Sequence, residues 1–488
     1  MKMKIIKTIP FQLISLTLCL LFTWSSCSEN KIIEQEYLEV SLSTYTFDAT
    51  SPEELVIHVK ANPTWSTNLE HAAWFSVAER GDDYLIIRAQ DNTSIYPRVA
   101  YLELSSGIHT KYIYVSQLGK REPSDQFLTF PQFSSSAISS NGQYLAGVIS
   151  QRTNIPGEII NFLFKIDLKS GDQVQLDKSS KAITVRQVAD TGLITVDKNT
   201  VKGFYTSDGA WTELQVPAGS SSVFIAATSD DGETIVGSVS YPGSTKPAVW
   251  KNNEVSFLSA PALDIYDRPL REDVVAAGCS ADGTVIYGHT ANTKVLLYWR
   301  NGEVQYAGSD IFKLGEITIP GPMGEITIQH MDCLNSIDYY YGISPNGRYL
   351  VATLAEAQED KHKALFPAVY DIEEQKTFVV RDLANADGAR DARSVSVTDD
   401  MDISYSQLEV LNEFPYIAVP VYGYVYDSKL KKSITTAEYI KKETGLSLAA
   451  PTYMVQRKCS DGRTFYGVNS LEGVSGRVLL KWAIRPRI

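Results

Sequence analysis

The sequence predicts an all-β protein with two parts, a small β-sandwich followed by a β-propeller. Three observations lead to this prediction. A short turn-forming segment returns about seven times after residue 130, each of the first six copies is followed by a second apolar hairpin, and about 80 residues ahead of them alternate between apolar and polar side chains. Repeats of four strands are typical of propellers, and closely spaced short strands are typical of immunoglobulin-like sandwiches.

The returning segment consists of a small polar residue, an Asn-Gly or Asp-Gly pair and an apolar run. It first occurs as Ser139–Gly147. Asn-Gly and Asp-Gly between apolar runs are strong hairpin signals, because the residues of such turns need a positive φ. We therefore interpret Asp231, Asp282 and Asp461 as turn residues rather than catalytic carboxylates. The later copies, of which the first and the fifth are degenerate, are centred on Asp190, Asp231, Asp282, Asn346, Asp399 and Asp461.

A small residue recurs inside the apolar run, five positions after the turn residue. Only Asp197, in the second copy, departs from this rule. A small residue kept inside a strand indicates that another backbone approaches closely, as expected near the crowded axis of a ring. The small residues are Gly147, Gly237, Gly288, Ala352, Ser406 and Gly467.

Two hairpins per copy give four strands per repeat, which predicts a seven-bladed propeller spanning residues 124–488. The seventh copy ends without its outer hairpin, and an orphan strand, Phe127–Phe130, precedes the first copy. We expect this strand to complete the last blade and close the ring, because closure hides the edges that an open ring exposes. An open solenoid or two sandwiches are the alternatives, and the degenerate copies leave six against seven blades open.

The chain begins with a predicted export signal over residues 1–26. Three lysines precede an apolar stretch from Leu13 to Phe22, and Ser25 and Ser26 then precede Cys27. This order resembles a bacterial lipobox, although Trp24 stands where the common pattern has Leu. It predicts that Cys27 carries lipid, that residues 27–36 form a tether and that the protein is an outer-membrane lipoprotein at the cell surface or the periplasmic face. A cleaved signal without lipid is the alternative.

Residues 37–119 carry a resemblance of their own. Four segments look in order like a BACON domain, a module of exported proteins of Bacteroidetes: Asn62-Pro63-Thr64-Trp65, Trp74-Phe75-Ser76-Val77, Asn92 with Arg98, and Val115-Ser116-Gln117-Leu118-Gly119. The resemblance implies an immunoglobulin-like sandwich with a role in carbohydrate or mucin binding, or alternatively a spacer.

The repeats after residue 130 resemble, more loosely, extracellular HAF-type propeller repeats with their Ser-x-Asp-Gly signature. That family places a short helix before its final copy, where this chain has Thr435–Gly445. The Thr-x-x-Glu pattern at Thr435 and Glu438 independently predicts a capping box, and Gly445 predicts the end of the helix.

Charge and residue usage exclude several classes of function. The chain has 45 basic and 57 acidic residues, a net charge of −12, or near −15 once the three signal lysines are removed. The sequence contains no basic patch of the kind that nucleic acids require. The six histidines form no zinc motif, and no cofactor or metal site is predicted. We expect Cys279, Cys333 and Cys459 to be buried and unpaired, since the equivalent positions of Cys279 and Cys459 fall on blades that are not neighbours.

Aromatic residues are the better candidates for ligand binding. Trp65 and Trp74 are expected in the sandwich core. Tyr112 and Tyr114 alternate with apolar residues, so one face of the sandwich is expected to carry tyrosines outward. An inserted segment between copies four and five contains two identical Gly-Glu-Ile-Thr-Ile stretches around a Pro-Gly turn and predicts a projecting hairpin. The candidate ligand-binding residues are Tyr112, Tyr114, Tyr339 and Tyr340.

These observations favour a non-catalytic envelope protein that binds a carbohydrate or a glycoprotein. The first alternative is an exported polysaccharide hydrolase or lyase with two carboxylates on the propeller face, which sequence spacing alone neither locates nor excludes. The second is an architectural module that docks an envelope protein, with the sandwich as spacer.

Overall fold

The chain is all-β in a computed structural model that describes residues 36–69, 73–120, 128–129, 133–321, 324–336, 342–359, 363–383, 391–413, 416–448, 453–473 and 476–484. The all-β class predicted from the sequence is confirmed. Within these ranges no helix is long and apolar enough to span a membrane. The export signal, Cys27, Tyr339 and Tyr340 lie outside the described residues.

The first part consists of two packed four-stranded sheets with the orders β1-β3-β6-β5 and β2-β8-β7-β4. Strand β2 pairs with β8 in parallel, and the other pairs are antiparallel. The sequence predicts about seven strands here, and the structure has eight. They are β1 (Tyr37–Val40), β2 (Thr44–Phe47), β3 (Leu55–Asn62), β4 (Ser66–Asn68), β5 (Phe75–Arg80), β6 (Tyr84–Ala89), β7 (Arg98–Ser106) and β8 (His109–Gln117).

Alternation along the strands builds one core between the two sheets. In β3 every second side chain is buried, beginning with Leu55 and ending with Val59. Trp65 and Trp74 are both buried in this core, as predicted. The guanidinium of Arg98 lies 4.8 Å from the centroid of the Trp74 ring. The two tryptophans therefore stabilise the sandwich and are not exposed to a ligand.

In the second part, the described residues form seven successive antiparallel sheets. The first sheet contains β10 (Phe133–Ile138), β11 (Tyr144–Arg152), β12 (Ile159–Asp167) and β13 (Gln173–Ser179), and the second contains β14 (Ile183–Val188), β15 (Ile194–Lys198), β16 (Val201–Tyr205) and β17 (Trp211–Glu213). The third contains β18 (Ser222–Thr228), β19 (Thr234–Tyr241), β20 (Ser244–Lys251) and β21 (Glu254–Phe257), and the fourth contains β22 (Val274–Cys279), β23 (Val285–Thr290), β24 (Leu296–Arg300) and β25 (Glu303–Tyr306).

Among the remaining three sheets, the fifth differs in its number of strands and the seventh in the origin of one strand, as the sequence predicts. The fifth has five strands, because an inserted strand precedes it, and a short strand from before the first sheet completes the seventh. The fifth sheet contains β26 (Lys313–Gly321), β27 (Gly324–Asn335), β28 (Tyr349–Ala357), β29 (Lys363–Asp371) and β30 (Lys376–Val379). The sixth contains β31 (Ala392–Val397), β32 (Ile403–Glu413), β33 (Tyr416–Asp427) and β34 (Lys432–Thr435), and the seventh contains β35 (Tyr453–Lys458), β36 (Phe465–Gly473), β37 (Gly476–Ile484) and β9 (Leu128–Thr129).

The sheets form a closed ring, which makes this part of the chain a β-propeller. Leu128 and Thr129 pair with Ala483 and Trp482, so the predicted closing strand is confirmed. The seventh sheet also contacts the first through Tyr466, whose hydroxyl donates to the carbonyl of Ser136 at 2.8 Å. A ring of sheets closed in this way leaves no free edge at the joint between its first and last sheets.

The Asn-Gly and Asp-Gly turns have one recurring geometry. In the first sheet Asn141 Oδ1 accepts hydrogen bonds from Ser139 Oγ at 2.7 Å and from the amide of Gln143 at 2.9 Å. Asp231 and Asp282 repeat both contacts. Asp461 keeps the amide bond, although Cys459 replaces the serine. The predicted turn role of the three aspartates is confirmed.

The turns of different sheets are joined by hydrogen bonds around the axis, and we name their connecting residues the axial ring. The amide of Asp190 donates to the carbonyl of Asp230 at 2.7 Å, and the amide of Asp230 donates to Ala281 at 2.7 Å. Each member directly follows the first residue of its turn. The members are Ser140, Asp190, Asp230, Ala281, Pro345, Asp399 and Ser460.

Two links of the axial ring use carboxylates instead of carbonyls. Pro345 has no amide hydrogen to continue the chain of bonds. The amide of Asn346 donates instead to Asp399 Oδ1 at 2.9 Å. At the first sheet the amide of Asn141 donates to Asp190 Oδ1 at 2.7 Å. The ring therefore places charged groups at the axis.

The small residue of each copy is explained by the innermost strand. A Cβ atom on Gly237 would lie 1.9 Å from the carbonyl oxygen of Phe224, and one on Gly467 would lie 2.0 Å from that of Met454. Both carbonyls belong to innermost strands that contain a bulge. The predicted close backbone approach is confirmed, and its cause is this bulge.

Asp197, the exception, forms a buried charge cluster instead. Its Oδ2 accepts from Arg186 Nε at 2.7 Å and lies 3.2 Å from Lys202 Nζ. Arg186 is the extra residue of the bulge in β14. Its guanidinium also lies 4.8 Å from the centroid of the Phe224 ring in the next sheet. The carboxylate thus neutralises a bulge residue that other sheets fill with uncharged side chains.

The predicted helix α1 (Thr436–Thr444) is present, with Thr435 as its N-cap. The Thr435 hydroxyl accepts from the Glu438 amide at 3.2 Å, and Glu438 Oε2 accepts from the Thr435 amide at 2.9 Å, so the capping box is complete. Gly445 ends the helix with a φ of 76°. Tyr439 and Ile440 are buried between the sixth and seventh sheets.

The inserted segment forms the predicted hairpin from β26 and β27, in which Ile317 pairs with Ile328 and Ile319 pairs with Ile326. Its isoleucines share one face. Three of them are exposed, between 38% for Ile319 and 47% for Ile326.

The three described cysteines are free thiols, as expected. Cys333 and Cys459 are buried, whereas Cys279 is partly exposed, so the expectation of burial is wrong for Cys279. Burial raises the pKa of the Cys333 thiol to about 12.

Asp197→Ala should destabilise the propeller by up to about 3 kcal/mol, because it removes a buried carboxylate and leaves two half-buried cations without their counter-charge. The measurement is the urea midpoint of unfolding. Asp400→Ala is the control, since Asp400 pairs with Lys429 at the exposed surface. Its midpoint should hardly move, and an equal shift in both variants would contradict the buried-pair account.

Asp190→Asn should stabilise the protein slightly at neutral pH, which should raise its melting temperature. Burial raises the native pKa of Asp190, so its charge costs stability above that pKa. The gain should therefore disappear as the pH falls through the raised pKa. Melting temperatures across this pH range measure it, with the exposed Asp382→Asn as control; a gain that persists at low pH would refute the argument.

Candidate functional site

The outward tyrosine face predicted from the sequence lies at the junction between the sandwich and the propeller. Tyr112 and Tyr114 lie on β8, and Tyr101 on β7 pairs with Tyr114. The three rings form a cluster with centroid distances of 5.8 Å (Tyr101 to Tyr112), 6.3 Å (Tyr101 to Tyr114) and 6.5 Å (Tyr112 to Tyr114). We name this cluster the junction tyrosines.

The face points away from the sandwich core, as predicted, but the first propeller sheet covers part of it. Tyr114 is 8% exposed. Its ring centroid lies 6.5 Å from that of Phe162, and Lys178 Nζ lies 4.5 Å from the Tyr114 centroid. Tyr112 remains half-buried. Tyr114 is therefore part of the interface, and Tyr112 is the residue that a ligand can reach.

Polar contacts fix the junction on both sides of the tyrosines. Gln175 Oε1 accepts from Ser116 Oγ at 2.5 Å, and Gln173 Oε1 accepts from the amide of Gly119 at 2.8 Å. Gln173 Nε2 donates back to the carbonyl of Ile95 at 2.5 Å. Both glutamines lie on β13, the outer strand of the first sheet. The sandwich is docked on this strand by side chains as well as by the chain connection.

Carboxylates and an amide surround the exposed side of the junction tyrosines. The Tyr101 hydroxyl donates to Asn154 Oδ1 at 2.6 Å, and Asn154 Nδ2 donates to Glu103 Oε2 at 2.9 Å. Glu158 holds the same loop by accepting from Thr153 Oγ1 at 2.6 Å. The arrangement combines aromatic faces with convergent hydrogen-bonding groups, which is the chemistry that sugar rings and their hydroxyls require.

The phenols stay protonated over the ordinary pH range. Burial raises the pKa of Tyr114 to about 12, and the negative charge of Glu158 adds to the effect. Burial also raises the pKa of Tyr112, with Glu103 and Glu158 contributing. Neutral phenols beside carboxyl groups provide both donors and acceptors.

Sequence reasoning identified Tyr112 and Tyr114 but missed their propeller partners. Asn154 and Glu158 lie in the connection between β11 and β12, residues 153–158, whereas the equivalent connection in the third sheet has only residues 242–243. That extra length in the first copy is the signal that could have indicated a contact or a site.

A second concentration of charge lies at the axis. Arg457, on the seventh sheet, reaches Asp230 of the third sheet, with Nη2 and Oδ1 3.3 Å apart. These sheets are not neighbours, so the pair spans the axis. Burial raises the pKa of Asp190, the charge of Asp230 adds to this, and the Asn141 amide and Arg457 oppose it. The Arg457–Asp230 pair joins distant sheets and the axial ring joins successive sheets, which gives this cluster a structural role.

No group of three or more metal-ligating side chains is present in the part of the chain that the structure describes. The junction therefore offers hydrogen bonds and aromatic faces rather than a set of metal ligands.

Comparisons with known proteins add solved structures but no family. No protein-family model matches the chain, and no curated protein matches it. Among solved structures, the chain is similar to the β-propeller domain of the Trilobed protease from Pyrococcus furiosus, at 10% identity and a TM-score of 0.43 over 72% of this chain and 94% of that one.

It is also similar to an oligogalacturonate lyase from Vibrio parahaemolyticus, at 9% identity and a TM-score of 0.42 over 80% of this chain and 98% of that one. A TolB from Agrobacterium tumefaciens matches at 14% identity and a TM-score of 0.30 over 51% of this chain and 81% of that one. At these scores the likenesses carry no argument about function.

Tyr114→Ala should loosen the docking of the sandwich, because it removes a buried ring at a cost of about 3 kcal/mol. The measurements are the radius of gyration from small-angle X-ray scattering and the rate of proteolysis between residues 119 and 128. Tyr37→Ala is the matched control, since Tyr37 is 45% exposed on the sandwich. Identical scattering and proteolysis in both variants would contradict a tight junction.

Proposed function

We propose that this protein is a lipid-anchored binding protein of the outer membrane that recognises a carbohydrate or glycoprotein without catalysis. The observation that carries the proposal is the junction, where Tyr112 is reachable beside Glu103, Glu158 and Asn154. Ligand sites form preferentially between domains, and sugar recognition uses aromatic faces with a polar rim.

The finer architecture is part of the same proposal. The two packed sheets are an immunoglobulin-like sandwich of the BACON type, and the ring has seven blades. The eight sandwich strands and the seven successive sheets support this assignment. Cys27 carries the lipid, residues 27–36 tether the body to the membrane, and the cell surface or the periplasmic face is its location.

The architectural alternative has one observation in its favour. The hairpin of β26 and β27 exposes an isoleucine face, and exposed apolar surface often marks a contact with another protein. An envelope protein is the partner this alternative requires. This alternative treats the sandwich as a spacer. The hydrogen bonds of Gln173 and Gln175 argue against that role, because they hold the sandwich to the propeller.

The test is binding of lipid-free residues 28–488 to a panel of neutral glycans and mucins. The intact chain should bind, and Tyr112→Ala should weaken binding by up to about tenfold, because it removes one aromatic contact of about 0.5–1.5 kcal/mol. Tyr37→Ala should bind like the intact chain. If the intact chain binds no glycan or mucin of the panel, the proposal is overturned and protein partners are tested next. If Tyr112→Ala and Tyr37→Ala bind equally well, the binding site lies away from the junction.

A further inference from the structure

A second aromatic group lies on the third sheet, away from the junction. Tyr241 ends β19, and Phe257 ends β21. Their ring centroids are 6.4 Å apart with 56° between the planes. Lys246, on β20 between them, has its Nζ 5.4 Å from the Tyr241 centroid and 5.6 Å from the Phe257 centroid. We name these three residues the third-sheet site.

The Phe257 ring is not used to pack one sheet against the next. Phe257 is 44% exposed. It pairs with Ala248, which in turn pairs with Gly237, the small residue of the third copy. In the second sheet Leu214 follows the outer strand next to Lys202, the partner of Asp197, and is only 3% exposed. The same place in the repeat is thus covered in one sheet and open at Phe257.

The Lys246 side chain is exposed and carries a positive charge. No carboxylate of the described residues forms an ion pair with its ammonium group, although the whole chain has a net charge of −12. The nearby carboxylate of Asp273 accepts a hydrogen bond from the Thr245 amide at 2.7 Å. An exposed ammonium held between two aromatic rings can attract an anion while the rings contact the apolar face of a sugar.

We propose that the third-sheet site binds an acidic sugar, a pyranose that carries a carboxylate. The Phe257 and Tyr241 rings contact the sugar, and the Lys246 ammonium pairs with its carboxylate through a charge-assisted hydrogen bond. The proposal is independent of the junction, because the site shares no residue with it.

The net charge of the protein narrows the ligand further. A chain of −12 repels long polyanions, while a short-range pair with one carboxylate is much less affected by that distant charge. The site therefore takes a single acidic residue, such as one at the end of a glycan, in preference to a polyuronate.

The probes are glucuronic acid and glucose, which differ only in the carboxylate at C6. Saturation-transfer NMR and titration with lipid-free residues 28–488 should show glucuronate binding about tenfold more tightly than glucose, the gain expected from one hydrogen bond to a charged group. Lys246→Gln should abolish this preference, and Phe257→Ala should remove binding of both sugars.

Two controls keep the result decisive. Tyr37→Ala, at an exposed position outside both sites, should bind glucuronate like the intact chain. Loss of the preference for the acid in Lys246→Gln then reports on the third-sheet site, whatever the junction binds. Circular dichroism checks that the variants fold, which their exposed positions favour. The proposal is overturned if the intact chain shows no saturation transfer from glucuronate, or if Lys246→Gln keeps the preference for the acid.

Discussion

The propeller depends on the hydrogen bonds that join the turns around its axis. Each turn first satisfies its own polar groups, as Asn141 does with Ser139 and Gln143. The amide that remains then points to the next sheet, as the Asp190 amide does to Asp230. Because buried backbone groups must be paired, the turn sequence fixes both the hairpin and the approach of neighbouring sheets. Packing between the sheets follows from this geometry.

The junction follows a different rule. Its contacts are side chains from strands that the repeat pattern already defines, and Gln173, Gln175 and Phe162 could each occupy an ordinary outer or middle strand. The tyrosine face of β8 covers them. The first sheet therefore docks the sandwich while keeping the strand pattern of the repeat, apart from the longer connection at residues 153–158. A site at this junction is built by two parts that each remain regular.

Much of the fold could be predicted from the sequence, because its signals are local. The Asn-Gly and Asp-Gly turns, the Thr435 capping box and the inserted hairpin each depend on residues close together in the chain. The closing strand pairs with a distant one, and it could be predicted because the seventh copy lacks its outer hairpin. The candidate site could be predicted only in part. Alternation placed Tyr112 and Tyr114 on an outward face, but no local pattern indicates which distant strand covers Tyr114.

Other features escaped prediction for the same reason. Asp197 looked like a defect in the repeat, and only the structure shows Arg186 and Lys202 beside it. The third-sheet site consists of three residues of one repeat. It differs from the equivalent positions of other sheets in the exposure of its side chains, and that exposure depends on the neighbouring sheet. Contacts between sheets are set by the ring as a whole and carry no signature in any one copy.

The pairing of Leu128 and Thr129 with Ala483 and Trp482 has a consequence for how the protein is made. Strand β9 precedes the rest of the propeller in the chain, and its partner strand is complete only after about 350 further residues have been synthesised. Until then the growing chain carries unpaired strand edges, which are sites of wrong association. A ring that closes with its last strand therefore gains from polar residues along the edges that remain unpaired.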